Sequence, residues 1–365
     1  MEHKPRPDAL KRLPLNRLMD LKIDYAFKQL FGTETNQDLL VVFLNAILQR
    51  TERPWIESIA LQNTEIGGEY DNDKQSRLDI LAQTETGTLI NIEIQFTNKY
   101  DMIHRSLFYW ANLYRRQMKA GTTYRELYPV ITINILNFNT FHNSARYHAA
   151  YRLHEEDEQT LLTDALEMHF FEMPKLINAW RKNELNPWDD RLARWLLLLG
   201  IVDDRKNNVY EDIYKELEEI AMKDEKLQQA FRSWTQLSQT PDEWLAYESR
   251  LKQVLDEEAA KRETELAIQE SREEGREEGR EEGREEGREE GVEIGEAKGQ
   301  HKQDVYVTAR LLNDKFPEGF PTVAGAQEYL QGVTSPETLD ELRKIVVRVN
   351  SWAEAEDKIR EALDD

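Results

Sequence analysis

Apolar positions recur at spacings of three and four from residue 18 to residue 50, at Leu21, Phe27, Leu30, Phe31, Leu39, Leu40, Phe43, Leu44 and Ile47. That period predicts amphipathic helix, with Gly32 to Asn36 dividing a short helix from a longer one. Ile56 to Ile66 then predicts a first strand, and Gly67 to Lys74 a polar connection. Two strongly alternating segments follow, Arg77–Gln83 and Leu89–Thr97, and together they predict a hairpin. A helical pattern covers Tyr100–Ala120, with Gly121 as its stop, and the β-branched run Pro129–Leu136 predicts a buried strand. Tyr147–His154 and Ala165–Met173 alternate again, either as further strands of the sheet or as a hairpin arm. From about Leu176 to Gln269 the pattern is helical and rich in Leu and Trp, and the tail after residue 300 shows two or three short helical patterns. The order helix, three strands, helix, strand predicts an α/β unit with a mixed central sheet, followed by a mostly helical C-terminal half.

The hairpin carries the chemistry. A three-residue loop, Glu85-Thr86-Gly87, with glycine at the left-handed position, closes such a pair of strands and sets Thr84 opposite Thr88. Counting outward from that loop sets Asp79 opposite Glu93, on one side of the sheet, and Gln95 shares that side two residues on. Leu78, Ile80, Ile90, Ile92, Ile94 and Phe96 collect on the other side as a core face, which fixes the register. Two carboxylates side by side repel unless something neutralises them, and a bound Mg²⁺ or Mn²⁺ does so with oxygen ligands. Asp79, Glu93 and the backbone carbonyl of Ile94 are the candidate metal ligands, with Gln95 orienting water or phosphate. An ordinary solvated polar face is the alternative for the hairpin taken alone.

Charge modifies this picture in two places. The net charge of -22 argues against a polyanionic partner, yet it is unevenly spread. Residues 251–300 hold 18 acidic against 9 basic side chains, while Lys99, Arg105, Arg115, Arg116, Lys119 and Arg125 face only Asp101 and Glu126 between 99 and 126. Arg105, Arg115, Arg116 and Lys119 are therefore candidate phosphate contacts for DNA, set against the plainer reading of a solvated helix face. Five tandem Arg-Glu-Glu-Gly units run from Arg272 to Gly291, and glycine persists at every fourth position through Gly299. Each Glu–Arg pair three apart contributes about 0.2–0.5 kcal/mol to a helix, and each glycine costs about 1 kcal/mol relative to alanine. With no apolar seam to compensate, the repeat predicts a solvated, fraying helix or a charged spacer, not a coiled coil.

The chain has no cysteine, which excludes disulfides, zinc-thiolate sites and thiol nucleophiles. The first twenty residues lack the apolar core of a secretory signal, and the longest apolar run, Trp195 to Val202, is too short to span a bilayer. The expectation is a cytoplasmic protein without a membrane partner. The tryptophans at 180, 188, 195, 234 and 244 lie in helical patterns and read as packing, as do Tyr109 and Trp110. No phosphate-binding glycine loop, metalloprotease helix motif or serine-nucleophile elbow is present.

Asp79 followed by Glu93-Ile94-Gln95 resembles the PD-(D/E)XK signature, with Gln where Lys is usual. LKIDYAFKQLFG (Leu21 to Gly32), FLNAIL (Phe43 to Leu48), HRSLFYW (His104 to Trp110), YRELYPVITINIL (Tyr124 to Leu136), the EMPK segment at Glu172 and the glycine-punctuated charged repeat resemble the Rpn family of recombination-promoting nucleases, also labelled transposases. The resemblance covers roughly residues 18 to 300, and its specificity lies in the ordered series. It implies a restriction-endonuclease-like core and Mg²⁺-dependent hydrolysis of DNA phosphodiester bonds, in recombination, transposon biology or defence. Asp79, Glu93 and Gln95 form the implied reaction centre, and Asp24, in the first helix motif, is a further acidic candidate. Asp24 also reads as an acid favoured by a helix N-terminus. The other function weighed is a DNA- or protein-binding module that keeps the fold without activity. The expected organisation is a nuclease-like domain at 18–175, a helical region at 176–271, a Glu/Arg/Gly linker at 272–300 and a small helical module at 301–365, with homo-oligomer formation through the helical half.

Overall fold

The computed structural model describes residues 13–66, 76–98 and 101–364. The polar connection expected at 67–74, Lys99, Tyr100 and most of the N-terminal segment screened for a signal lie outside them. The first helical period resolves into α1 (Asp24–Phe31) and α2 (Gln37–Leu48), separated by a short turn of 3-10 helix. After β1 (Ile59–Leu61), a two-stranded ribbon forms between β2 (Glu65–Ile66) and β3 (Ser76–Arg77). The hairpin is β4 (Ile80–Thr84) and β5 (Leu89–Gln95), followed by α3 (Met102–Arg116), β6 (Val130–Leu136), β7 (His148–His154) and β8 (Leu161–Glu172).

Six of these strands make one mixed sheet in the order β1-β4-β5-β6-β8-β7. The pairs β5–β6 and β6–β8 are parallel, and the other three pairs are antiparallel. β7 and β8 therefore extend the sheet. Parallel pairing of β5 with β6 requires a crossover, and α3 supplies it, packing across one face of the sheet. Ile80 pairs with Ile92 and Ala82 with Ile90, the register that the loop at Glu85-Thr86-Gly87 dictates. Gly87 has φ +91°, so a residue with a side chain would be strained there.

The sheet is covered on both sides. Ile80, Ile90, Ile92, Ile94, Ile131, Ile133 and Ile135 face α1, α2 and the later helices. The other side meets α3 through Leu78, Leu81, Tyr109, Leu113 and Val130, and continues in Met102, Leu136, Leu166, Met168 and Phe170. Every residue of β6 is buried, as expected for a central parallel strand. Two expectations are corrected here. Leu78 belongs with the α3 side, because the chain bends at Asp79 before β4 begins. The polar side of the hairpin is not solvated, because α3 lies on it. The expected strands also break: Ile56–Ile66 splits between β1 and β2, and Arg77 pairs in the ribbon instead of in β4. α3 stops at Arg116 and not at Ala120, and the side-chain amide of Gln117 just beyond it bonds both backbone groups of Tyr128.

The following helices are α4 (Met173–Arg181), α5 (Arg191–Gly200), α6 (Glu211–Ala221) and α7 (Glu225–Gln239). A small hairpin of β9 (Val202–Asp203) and β10 (Asn208–Val209) interrupts them. Trp195, Leu196, Ile213, Leu217, Phe231 and Trp234 bury into the same core as the sheet isoleucines. The 75-residue α8 (Pro241–Lys315) adds Tyr247 and Val254 to that core. Trp180 and Trp244 pack at its margin, whereas Trp188 is exposed.

By its internal contacts the chain forms two compact units, one ending at Thr264 and one beginning at Glu265. From residue 259 to residue 300, α8 is exposed throughout, and the Arg-Glu-Glu-Gly repeat is helical there. The second unit has its own core. Ala309 and Leu312 of α8 and Phe316 just beyond its end pack with Leu330, which follows α9 (Val323–Tyr329), with Leu339, Leu342 and Val346 of α10 (Pro336–Arg348) and with Ile359 of α11 (Trp352–Asp364). No helix among the described residues is long and apolar enough to cross a membrane.

Candidate active site

Asp79 sits at the bend before β4, and its surroundings follow from that position. Its backbone N–H donates to Glu93 Oε1 (3.3 Å), and its Oδ2 accepts from the backbone N–H of Ile94 (3.0 Å). Its Oδ1 meets the ammonium of Lys28 at 2.7 Å. Glu93 is fully buried in β5. Its Oε2 accepts from Arg105 Nη2 (3.1 Å) and from Gln95 Nε2 (3.4 Å), while Gln95 Oε1 accepts from Arg105 Nη1 (3.0 Å). Arg105 occupies the first turns of α3, behind a helix start capped by Asp101, whose Oδ1 accepts from the N–H groups of Ile103 and His104. One turn on, Tyr109 accepts from Arg105 Nε (2.7 Å) and lays its ring under the guanidinium, 5.1 Å from the centroid.

From the other side of the sheet, α1 brings Asp24 and Lys28 to the same place. They share a helix face four residues apart, and their charged atoms lie 3.6 Å from each other. Asp24 Oδ1 also accepts from Arg250 Nε of α8 at 2.7 Å. A cleft of about 670 Å³ opens among Asp24, Lys28, Asp79, Gln95, Arg105 and Arg250. A second cavity, of about 120 Å³ beside Lys22 and Asp203, does not include these groups.

Burial is the main electrostatic fact. It pushes the Glu93 carboxyl up to about 8; the neighbouring charge of Asp79 adds to the rise and Arg105 opposes it. Burial also raises Asp79, against the pull of Lys28. Each carboxylate is met by one cation, Lys28 on Asp79 and Arg105 on Glu93. Removing a partner from a buried charge is costly, so these pairs hold the centre together. Among the described residues no three His, Asp or Glu side chains converge as a ready metal cage. The donor set that does converge, two carboxylates beside the backbone of Ile94, consists of hard oxygens. That chemistry fits a Mg²⁺-like ion, and a divalent charge would favour the ionised form of two carboxyls that burial raises.

The fold thus brings Asp79, Glu93, Gln95, Asp24 and Arg105 together. Arg115, Arg116 and Lys119 are not part of this cluster. They begin ten residues further along, so Arg115 lies roughly 15 Å from Arg105 at 1.5 Å per residue. Arg115 and Lys119 are exposed, and Arg116 Nη1 donates to the carbonyl of Glu65 (2.8 Å). Lys28 and Arg250 were missed by the sequence reading. Lys28 carried a usable signal, since it lies one helical turn after Asp24 in an amphipathic segment. Arg250 carried none, being 226 residues from its partner.

A family model described as PD-(D/E)XK nuclease family transposase matches residues 21–264. The match ends at the residue where the first compact unit ends. No curated protein and no solved structure gives a match.

Proposed function

Since the chain belongs to the PD-(D/E)XK nuclease family of transposases, we propose that its first unit is a divalent-metal-dependent endonuclease that hydrolyses DNA phosphodiester bonds. The observation that carries this reading is the Asp79 backbone N–H bonded to the Glu93 carboxyl at 3.3 Å, with the Asp79 side chain lining an open cleft and Glu93 buried directly behind it. Asp79, Glu93 and the carbonyl of Ile94 would hold Mg²⁺ or Mn²⁺. When bound, such an ion supplies charge neutralisation and a water acidified for attack on phosphorus.

The chain's own residues set the geometry. The Ile94 N–H and the Lys28 ammonium fix the Asp79 carboxylate, and Arg105 fixes Glu93 and Gln95 together. Gln95 orients water or a phosphate oxygen through its amide. Asp24 is a further acid of the centre, held by Arg250 and Lys28. Arg105, a phosphate contact by the sequence reading, spends its guanidinium on Glu93, Gln95 and Tyr109, so we assign it to positioning. Phosphate contacts along the duplex fall to Arg115, Arg116 and Lys119. A role in transposon biology agrees with the family's description, and with it we propose a role in recombination or defence and a cytoplasmic location.

The test is a plasmid-nicking assay across a divalent-metal panel. Asp79→Asn and Glu93→Gln should each lower cleavage at least about a hundredfold, the scale of losing one transition-state stabiliser, with folding retained by circular dichroism. Cleavage by both variants at the parental rate would sink the assignment. The second reading, a nuclease fold that binds DNA without cutting it, draws on the neutral Gln95 at the lysine position of the motif. It predicts metal-independent DNA binding and no nicking with any ion of the panel.

A further inference from the structure

The motif position that normally carries a cation holds Gln95, an uncharged amide. Phosphodiester hydrolysis adds negative charge at the phosphoryl oxygens, and a preorganised cation aimed there is worth several kcal/mol of barrier. Among the described residues three cations border the cleft: Lys28, Arg105 and Arg250. Arg105 is committed, with Nη1, Nη2 and Nε donating to Gln95, Glu93 and Tyr109 at 3.0, 3.1 and 2.7 Å. Arg250 bonds Asp24, one helical turn away from Lys28. Of the three, Lys28 is the one whose charged atom meets Asp79, at 2.7 Å.

The backbone of Lys28 is rigidly placed. α1 buries Ala26, Phe27, Leu30 and Phe31 against the core, which fixes its Cα. Its side chain is 32% exposed and lines both the large cleft and a neighbouring cavity of about 230 Å³. An ammonium on a four-carbon stem can swing between a carboxylate and a phosphate without backbone movement, which a planar guanidinium held at three points cannot.

We propose that Lys28 is the catalytic cation of this site, supplied from α1 in place of a lysine at position 95, and that its ammonium contacts the scissile phosphate. Its role is electrostatic: it stabilises charge on a phosphoryl oxygen and transfers no proton. The inference rests on the nuclease reading of the same cleft.

Its test compares the full-length parent, Lys28→Met, Gln95→Lys, the Lys28→Met/Gln95→Lys double variant and Asp79→Asn. Nicking of plasmid DNA is measured with Mg²⁺, and melting is measured with the metal chelated. Lys28→Met should lower kcat about 10²–10³-fold, with KM changed by less than about threefold. The double variant should recover to within about tenfold of the parental rate, with Gln95→Lys alone as its reference. The chelated melting temperature should drop in Lys28→Met, which leaves Asp79 without its cation, and return in the double variant. Should Lys28→Met prove unfolded, the double variant, in which the new ammonium can neutralise the same carboxylates, decides the matter. A folded Lys28→Met that cuts at the parental rate while Asp79→Asn does not, or a folded double variant as slow as Asp79→Asn, overturns the role of Lys28 and leaves the nuclease reading standing. A parent that cuts with no metal overturns both.

Discussion

Glu93 and Asp79 keep raised carboxyls in the folded state, and this gives the metal-free protein an unusual pH dependence. Glu93 moves from 4.5 to about 8, mainly through burial and then through the charge of Asp79. Between those values the native state binds more protons than the unfolded chain, so stability falls as pH rises. The contribution is complete below about pH 4.5 and is lost as pH passes about 8. With metal chelated, melting should therefore drop between pH 5 and pH 8.5, and the drop should be shallower in Glu93→Gln. Parallel slopes for the two proteins would mean that Glu93 is ionised across the range. The partners of this carboxylate were only half legible. Loop chemistry and alternation pointed to Asp79 and Gln95 as its neighbours. Arg105 was seen as a basic residue on a helix, but nothing in the sequence says that α3 folds down on Glu93.

Elements carry their own consequences. α3 has one end in the reaction centre and the other some distance along the sheet. Arg115→Gln with Lys119→Gln should weaken duplex binding. The salt dependence should flatten by about 0.9 log units per lost phosphate contact. An unchanged salt slope would return both residues to a solvated helix face. At the opposite end of the sheet, β8 buries Glu167 among Thr51 (2.5 Å), Arg53 (2.6 Å), Arg152 (3.0 Å) and His169 (2.7 Å), and His169 in turn touches His148 of β7 at 3.0 Å. Burial alone would raise the Glu167 carboxyl, but the hydrogen bonds from His169 and Thr51 outweigh it and hold the group at about 2. Here the sign reverses: the stabilisation is present above about 4.5 and is lost as pH falls toward 2. Glu167→Gln should cost about 3 kcal/mol at neutral pH, as breaking a buried ion pair does, and should flatten the acid limb of the melting curve. A neutral-pH loss under about 0.5 kcal/mol would show that the cluster contributes little to holding the sheet edge.

At the scale of the molecule, the sheet and the helices through Val254 share one core, and the last helices build another. The repeat between them offers nothing apolar to bury and is exposed along its length. Deleting Arg272–Gly291 should therefore leave the melting of the first unit unchanged within a few degrees. A larger shift would mean that the repeat packs against that unit. Self-association is expected of the helical half, and size-exclusion of the full chain measures it directly. A monomeric elution volume would remove that assignment.

Local rules were enough for the amphipathic helices, the hairpin register and the pairing of Asp79 with Glu93. Those features depend on residues fewer than twenty apart, where side-chain period and turn chemistry dictate geometry. Local rules leave the repeat between a fraying helix and a spacer, because its glycines cost more than its ion pairs return and no apolar seam adds packing. Three things were decided only by the tertiary structure: that α3 turns the hairpin's polar side into a buried one, that α1 delivers Lys28 to Asp79, and that Arg250 closes on Asp24 from 226 residues away. The physical reason is common to all three. Packing of apolar faces sets how elements meet, and the charged groups carried on those elements are brought together by that packing, between elements that local spacing does not connect.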